Sequence, residues 1–328
     1  MRLPGGGGPR APASQTLNDI DGDRFAQLGP RRFVLSGATG LLGEALLAHL
    51  IRAGHEVVRL VRSEPKRKGD VRWDPHAGAV EPSVIEGADV VVNLAGEPVA
   101  GGRWSAERRR RIMDSRTEGT SLLARTIAAA AAKPSAFVSA SATGFYGDAG
   151  DAQLDETSPS GDGFLAEVCR AWEAATAPAS EAGVRTIHAR IGVVLAKDGG
   201  ALAKMAPPFR LGLGGPMGGG KHWMSCIDID DAVRALHHVA LDTSMSGPVN
   251  LVCPHPIRNA DFTRALGAAL GRPAFIPMPA FAIRAAMGEM GREVLLGSQR
   301  VLPTRLVAAG FEFAFPDVPG SLGRQVAT

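Results

Sequence analysis

The fold is decided by residues 32 to 43, which read Arg-Phe-Val-Leu-Ser-Gly-Ala-Thr-Gly-Leu-Leu-Gly. A short apolar strand leads directly into three glycines spaced three residues apart, and an apolar stripe at helical spacing follows them. Glycines at this spacing allow a tight strand-to-helix turn, close approach of a pyrophosphate to the backbone, and close packing of the helix on the sheet. Amides at the helix N-terminus then face the anion. The pattern predicts a dinucleotide site, with a plain packing turn as the alternative, and the expected contact residues are Gly37, Thr39, Gly40, Leu41, Leu42 and Gly43.

The end of the second predicted strand, residues 56–62, indicates which dinucleotide would bind. In NAD-specific folds an acidic residue about 20 residues beyond the glycines binds the ribose hydroxyls. This chain has Arg62 and Ser63 there instead. A guanidinium beside a hydroxyl suits a 2′-phosphate, so the predicted cofactor is NADP(H). For the basic residues 66–68 that follow, a solvated loop is the preferred interpretation.

Three further strands are predicted at residues 71–75, 88–96 and 136–141. The second of these is a continuous apolar run, which is typical of a strand buried on both faces of a parallel sheet. Small or polar residues that end these strands would border the cofactor: Asn93, Ala95, Gly96 and Ser139. Trp73 either borders the adenine or belongs to the core. The predicted fold class is α/β, a Rossmann-like doubly wound parallel sheet with a small C-terminal α/β lobe.

Composition excludes several classes of protein. The chain has 328 residues, 45% of them hydrophobic, which is enough for one large α/β domain and a smaller one. Lys and Arg (36) nearly balance Asp and Glu (33), so nucleic-acid binding is not favoured. The three cysteines lie far apart, without disulfide or metal-ligand spacing, which favours a reducing cytoplasm and no metal site. No segment reaches the roughly 20 apolar residues of a membrane span.

The domain organisation expected from the chain has three parts. Residues 1–31, rich in Gly and Pro, are predicted to be a disordered tail, and residues 32–240 to form an NAD(P)-binding domain. Residues 241–328 would form the C-terminal lobe. Within the first domain, residues 197–226 are predicted to be a loop that forms the wall of a substrate cleft. Lys221 and His222 on this wall would meet an anionic substrate, or else belong to an exposed loop without a binding role.

The motifs and their order resemble the extended short-chain dehydrogenases/reductases of the nucleotide-sugar epimerase type. The resemblance rests on residues 37–43, on Asn93-Leu94-Ala95-Gly96 and on residues 139–147. Later motifs are similar to an atypical subfamily, the epimerase family proteins, which end in a small domain of unknown function: residues 164–173, 190–195, 214–216, 223–225 and, for the small domain, about 275–324. The resemblance covers about residues 33–324. One departure is Asp228, where relatives typically carry a histidine.

This resemblance implies a chemistry that the chain only partly retains. In the superfamily a serine polarises a substrate oxygen, and a tyrosine activated by a lysine four residues later exchanges a proton with it while NAD(P) carries the hydride. Ser141 aligns with the serine. The chain has one tyrosine, Tyr146, and glycine stands four residues after it, so no Tyr-x-x-x-Lys pair exists. Alignment on Glu173 puts Leu165 and Cys169 at the two positions.

Three interpretations therefore stay open. The first is an NADP(H)-dependent oxidoreductase or epimerase in which another group supplies the proton, with Tyr146, Glu167 and Cys169 as local candidates. The second is an NADPH-binding sensor or regulatory protein without turnover. The third is a structural protein that keeps the fold, which the retained glycines and Arg62 disfavour. The resemblance implies a small carbonyl compound or a nucleotide sugar as substrate; the residues specify neither which one nor an oligomeric state.

Overall fold

A computed structural model describes residues 28–326 of the chain. The predicted disordered tail, residues 1–31, lies outside the described residues except for its last four. The first half contains β1 (Arg32–Ser36), α1 (Leu41–Arg52), β2 (Glu56–Val61), β3 (Asp70–Asp74), β4 (Ala79–Val80), β5 (Val90–Asn93), α2 (Ala106–Ala129), β6 (Ala136–Ala142), β7 (Gln153–Leu154), α3 (Phe164–Ala174) and α4 (Ala177–Glu181).

The second half contains β8 (Arg185–Ile191), β9 (Val193–Leu195), α5 (Gly200–Arg210), β10 (Trp223–Met224), β11 (Cys226–Asp228), α6 (Ile229–Leu241), β12 (Gly247–Leu251), β13 (Ile257–Arg258), α7 (Asn259–Ala269), α8 (Ala280–Met290), β14 (Arg300–Val301), α9 (Thr304–Ala308) and α10 (Val318–Val326). A π-helical turn, Gly291–Leu295, follows α8. No helix among residues 28–326 is both long enough and apolar enough to cross a membrane.

One sheet of eight strands, in the order β12-β8-β6-β5-β1-β2-β3-β4, organises the molecule. Every neighbouring pair is parallel except β3 and β4, which are antiparallel. The chain runs from β1 to β2 on one side and then returns to place β5 on the other side of β1. This reversal creates a crevice at the carboxyl ends of β1 and β5, the place where open α/β sheets bind ligands. The predicted Rossmann-like doubly wound fold is confirmed.

Both faces of the sheet are buried, because alternate strand residues enter two separate cores. Phe33 and Leu35 of β1 pack with Leu46 of α1 on one face. Val34, between them, packs with Leu123 and Ile127 of α2 on the other. This alternation follows from the two-residue period of a strand, and it explains why the strands read as continuous apolar runs.

The C-terminal part differs in two ways from the expected domain division. Strand β12 pairs with β8, so the main sheet continues beyond the predicted boundary at residue 240. The predicted cleft-wall loop, residues 197–226, begins with helix α5. Leu202, Ala206 and Phe209 lie on one face of this helix and are buried, and this burial outweighs the cost of Pro207 and Pro208 inside it.

Candidate cofactor and active site

The glycine turn between β1 and α1 has the close contacts that the sequence spacing predicts. Gly37 has φ of +72°, and a Cβ there would lie 2.6 Å from the carbonyl carbon of Leu94. A Cβ at Gly43 would lie 2.1 Å from the carbonyl oxygen of Gly37, so only glycine lets the helix pack this close. Gly40 is exposed, and a Cβ there would meet only the carbonyl oxygen of Gly37, at 3.4 Å.

The start of α1 offers unpaired amides to an anion. The helix begins at Leu41, and its N-cap, Gly40, has no side chain with which to accept from the first amides. Such amides lack acceptors within the helix and carry a partial positive charge. Thr39 is exposed beside them, and Leu41 and Leu42 are half-buried. These residues therefore fit a pyrophosphate at this position.

Asn93 at the end of β5 ties the strand ends together. Its Oδ1 accepts from Ser36 Oγ at 2.5 Å, and its Nδ2 donates to Thr120 Oγ1 of α2 at 2.8 Å. Thr120 Oγ1 also accepts from Trp172 Nε1 of α3 at 2.9 Å. The Asn93 side chain is buried and fully engaged in these hydrogen bonds. The crevice is therefore bordered by the backbone of the turn that follows, at Ala95 and Gly96.

Arg62 lies exposed at the end of β2, beside Ser63. It makes no hydrogen bond or ion pair with any described residue. The loop after it is held by Asp70, which accepts from the amides of Lys66 and Arg67 at 3.0 and 2.9 Å and pairs with the buried Arg59. Burial raises the pKa of Asp70, but the two amides and then the guanidinium outweigh it and lower the pKa. Arg62 thus extends from a fixed loop with its donors available.

Two of the predicted site residues are buried within the sheet layer. Trp73 is 2% exposed, and a Cβ at Gly119 of α2 would lie 3.2 Å from its ring. This burial favours the core interpretation of Trp73 over a contact with adenine. Ser139 is 1% exposed and pairs in register with Asn93, so it lies at the same level of the sheet as the crevice.

Ser141 belongs to a buried polar network under the crevice. Its Oγ donates to Glu173 Oε1 of α3 at 2.7 Å. Glu173 accepts a two-pronged contact from Arg190 of β8, with Nε at 2.8 Å from Oε1 and Nη2 at 2.9 Å from Oε2. A charge-assisted bidentate pair of this kind fixes both partners. Ser141 is therefore oriented by Glu173, and its hydroxyl proton is bound to the carboxylate.

Tyr146, the other catalytic candidate, is part of the same network. Its hydroxyl donates to Asn250 Oδ1 of β12 at 2.7 Å and accepts from Arg190 Nη1 at 3.0 Å. The side chain is 2% exposed, and burial raises the pKa of the phenol, although Arg190 opposes that shift. A hydroxyl engaged on both sides, with a raised pKa, favours a structural role over proton exchange with a substrate.

The two helix positions aligned with the tyrosine and the lysine meet the same strand end. A Cβ at Gly144 would lie 3.2 Å from Leu165 Cβ and 3.7 Å from Cys169 Sγ. Burial, and then Glu173, raise the pKa of Cys169 to about 11, although the Arg116 guanidinium opposes the rise. Cys169 is therefore a neutral thiol at physiological pH and a poor proton carrier. Glu167 is exposed on the same helix.

A cavity of about 480 Å³ opens beside these residues. It lies between the segment after β6, which includes Gly144 and Gly147, and the C-terminal turn that carries Arg292 and Glu293. Its volume is in the range of small-molecule sites. A second, more open cavity of about 530 Å³ is lined by Lys221 and His222 of the predicted cleft wall, together with Gly150, Asp151, Arg258 and Ser298.

Comparison with known proteins gives the family of the chain. The profile described as the NAD dependent epimerase/dehydratase family matches residues 33–251. The chain belongs to this family. A domain of unknown function, DUF1731, matches residues 278–324. An epimerase family protein of Mycobacterium bovis is 42% identical over 289 residues, which are 88% of this chain and 95% of that protein.

Solved structures agree with this epimerase/dehydratase fold. The crystal structure of human epimerase family protein SDR39U1 (isoform 2) with NADPH is 36% identical, has a TM-score of 0.83, and covers 90% of this chain and 99% of that one. MoeE5 in complex with UDP-glucuronic acid and NAD is 19% identical with a TM-score of 0.71, covering 91% and 98% of the two chains. The second likeness shows the fold alone.

Sequence reasoning missed several residues that surround the epimerase-family crevice. Arg190, Thr120 and Asn250 have side chains that complete the buried network, and Arg116 of α2 reaches the turn after β5. By its composition alone, the arginine-rich segment 107–116 indicates a solvated helix face. The helical period nevertheless indicates that Arg116 faces inwards. It lies on the face of α2 that turns towards the sheet, which also carries Gly119, Thr120 and Leu123.

Proposed function

We propose that this family member binds NADP(H) and uses it as an oxidoreductase or epimerase that lacks the Tyr-x-x-x-Lys pair. The observation that carries the proposal is the combination of the glycine turn with Arg62, whose guanidinium has no partner within residues 28–326 and lies at the end of β2, where an NAD-specific fold has an acid. The presence of NADPH in the crystal structure of the human relative supports the same cofactor. The proposed cofactor residues are those predicted from the sequence, apart from Trp73, whose 2% exposure favours the core.

NADP(H), when bound, supplies or accepts a hydride. The residues of this chain would hold its pyrophosphate at Gly37 to Gly43 and its 2′-phosphate at Arg62 and Ser63. Ser141 stands at the position of the superfamily's serine, and because its hydroxyl proton is donated to Glu173, its Oγ would accept a hydrogen bond from a substrate hydroxyl. The cavity of about 480 Å³ would hold the substrate, a carbonyl compound or a nucleotide sugar.

A second candidate function is an NADPH-binding sensor without turnover. The engaged hydroxyl of Tyr146 and the neutral, buried Cys169 favour it, because neither offers a proton to the cavity. Incubation of the protein with NADPH and a panel of carbonyl compounds, and separately with NADP⁺ and a panel of nucleotide sugars, distinguishes the two. Oxidation of NADPH, or epimerisation detected by chromatography, supports the enzyme. Binding without either reaction supports the sensor. The cytoplasmic location stays a prediction.

Calorimetry with NADPH and NADH tests the cofactor. We expect wild-type protein to prefer NADPH, and Arg62→Ala to weaken NADPH binding about 10- to 100-fold, since a hydrogen bond to a charged group is worth about 1.5–3 kcal/mol. NADH binding should change little, because NADH has no 2′-phosphate. Arg67→Ala, an exposed arginine of the same loop, is the matched control. Equal weakening of both cofactors by Arg62→Ala would refute the 2′-phosphate assignment.

A further inference from the structure

Arg116 lies where a cation can reach the cofactor crevice. Its guanidinium is beside the turn that follows β5: a Cβ at Gly96 would lie 3.3 Å from Cζ and 3.4 Å from Nη2. Nη1 donates to Glu97 O at 2.9 Å and to Ile112 O at 3.1 Å. These bonds hold the side chain in place and use one of the three guanidinium nitrogens.

The remaining donors of Arg116 have no partner among the described residues. The guanidinium carbon lies 4.9 Å from the ring centroid of Trp172, so the side chain is supported by an aromatic surface. Trp172 is itself fixed by its bond to Thr120. A guanidinium keeps its charge even when partly buried. The structure therefore presents a held cation with Nε and Nη2 available.

The position of Arg116 relates it to the missing lysine. Cys169, at the position that aligns with the lysine, lies three residues before Trp172 on α3, and Trp172 is the residue that supports the Arg116 guanidinium. Cys169 brings no cation to this side of the crevice from α3, whereas Arg116 provides one from α2.

The direction of the crevice indicates which part of the cofactor would lie beside Arg116. The pyrophosphate would occupy the turn after β1, and Arg62 after β2 marks the side of the adenosine 2′-phosphate. The other half of the dinucleotide then extends across β5 towards β6 and α3, past Gly96. Its first polar groups beyond the pyrophosphate are the ribose hydroxyls, which are suitable acceptors for N–H donors.

Resting on the proposed function, we infer that Arg116 binds the nicotinamide riboside half of NADP(H) and takes the place of the lysine as the cation of the site. It is a cofactor-binding residue in this assignment. The charge also discriminates between redox states, since oxidised nicotinamide is positively charged and the reduced ring is neutral. Arg116 should therefore favour NADPH over NADP⁺.

The test compares whole and half ligands by calorimetry. For Arg116→Gln we expect NADPH to bind about 10- to 100-fold more weakly, the range for loss of a charged hydrogen bond. Binding of 2′,5′-ADP, which lacks the nicotinamide half, should stay within about twofold of wild type. Arg116→Lys should bind NADPH with intermediate affinity and keeps the test possible if Arg116→Gln does not fold. Arg111→Gln removes the same charge from an exposed position of the same helix and should change neither ligand.

Each outcome decides the inference. Selective loss of NADPH affinity, with a smaller preference for NADPH over NADP⁺, supports it. Equal weakening of NADPH and 2′,5′-ADP would show that Arg116 only positions the turn at Glu97, and unchanged binding of both would also overturn it. If wild-type protein does not bind NADPH, the proposed function fails and this inference fails with it. If wild-type protein binds NADPH and Arg116→Gln binds it with the same affinity, only the inference fails.

Discussion

Three histidines, His55, His237 and His49, form a chain of hydrogen bonds. The position of the proton on each ring follows from the hydrogen bond that His55 accepts. The amide of Arg31 donates to His55 Nδ1 at 3.1 Å, so a neutral His55 carries its proton on Nε2. That proton faces His237 Nε2 at 2.9 Å, which leaves the proton of His237 on Nδ1, directed at His49 Nε2 at 3.1 Å. The chain is complete only when all three rings are neutral. Protonation of the central ring would break it.

His237 should therefore make the fold sensitive to acid. Burial, followed by the neighbouring His49, His55 and His238, lowers the pKa of His237 to about 3. Because the folded pKa lies below the unfolded value of 6.5, the unfolded state takes up a proton first, and stability falls as pH drops below about 6.5. From pH 7 to pH 5 this residue should cost about 2 kcal/mol of unfolding free energy.

Urea denaturation at pH 7 and pH 5 measures this effect. We expect His237→Phe to lose less stability between the two pH values than wild type, by about 2 kcal/mol. His255→Gln, at an exposed position, should follow the wild-type pH dependence. A His237→Phe variant with the same pH dependence as wild type would contradict the assignment.

At the scale of elements, the C-terminal turn caps the helix that carries Leu165 and Cys169. Helix α3 begins after Gly163, which has φ of +102° and no side chain to cap it. Glu293 supplies the cap from the π-helical turn: Oε1 accepts from the amide of Phe164 at 3.1 Å and Oε2 from that of Leu165 at 2.9 Å. A carboxylate at a helix N-terminus is stabilised by these amides and by the helix dipole.

Loss of this cap should destabilise the protein. We expect Glu293→Ala to lower the unfolding free energy by about 1–2 kcal/mol, because two buried amides lose their acceptor. Glu289→Ala removes a carboxylate of the same segment that pairs with Arg109 nearer the surface, and it should cost less than about 1 kcal/mol. Urea denaturation gives both values. Equal effects of the two substitutions would show that the cap is not a special contact.

At the scale of the whole molecule, the sequence predicted the features that depend on residues close together in the chain. The glycine turn and the apolar strands follow from short-range spacing, and the Rossmann-like fold predicted from them is confirmed. The role of Arg62 depends on the same spacing and stays a prediction. The networks were not predicted, because their partners are distant in sequence: Tyr146 meets Asn250, and Glu293 meets Phe164. Such pairs have no periodicity, and only the assembled fold brings them together.

Asp228 shows how one such contact joins the end of the chain to strand β11 and the start of helix α6. Its Oδ1 accepts from the amide of Asp230 at 2.9 Å, which caps α6. Its Oδ2 accepts from Ser321 Oγ at 2.6 Å and from Gln325 Nε2 at 3.0 Å, both on α10. The Asp228 carboxylate is thus the acceptor that fastens the final helix.

Hydrogen exchange measured by mass spectrometry tests this role. Asp228→Asn replaces an acceptor oxygen by an NH₂ donor facing other donors, so residues 318–326 should exchange faster, and the unfolding free energy should fall by about 1–3 kcal/mol. Asp230→Asn removes only the more exposed pair with Arg324, and exchange there should stay close to wild type. If α10 keeps its protection in Asp228→Asn, its docking depends on the apolar contacts of Val318 and Leu322, and not on the buried carboxylate.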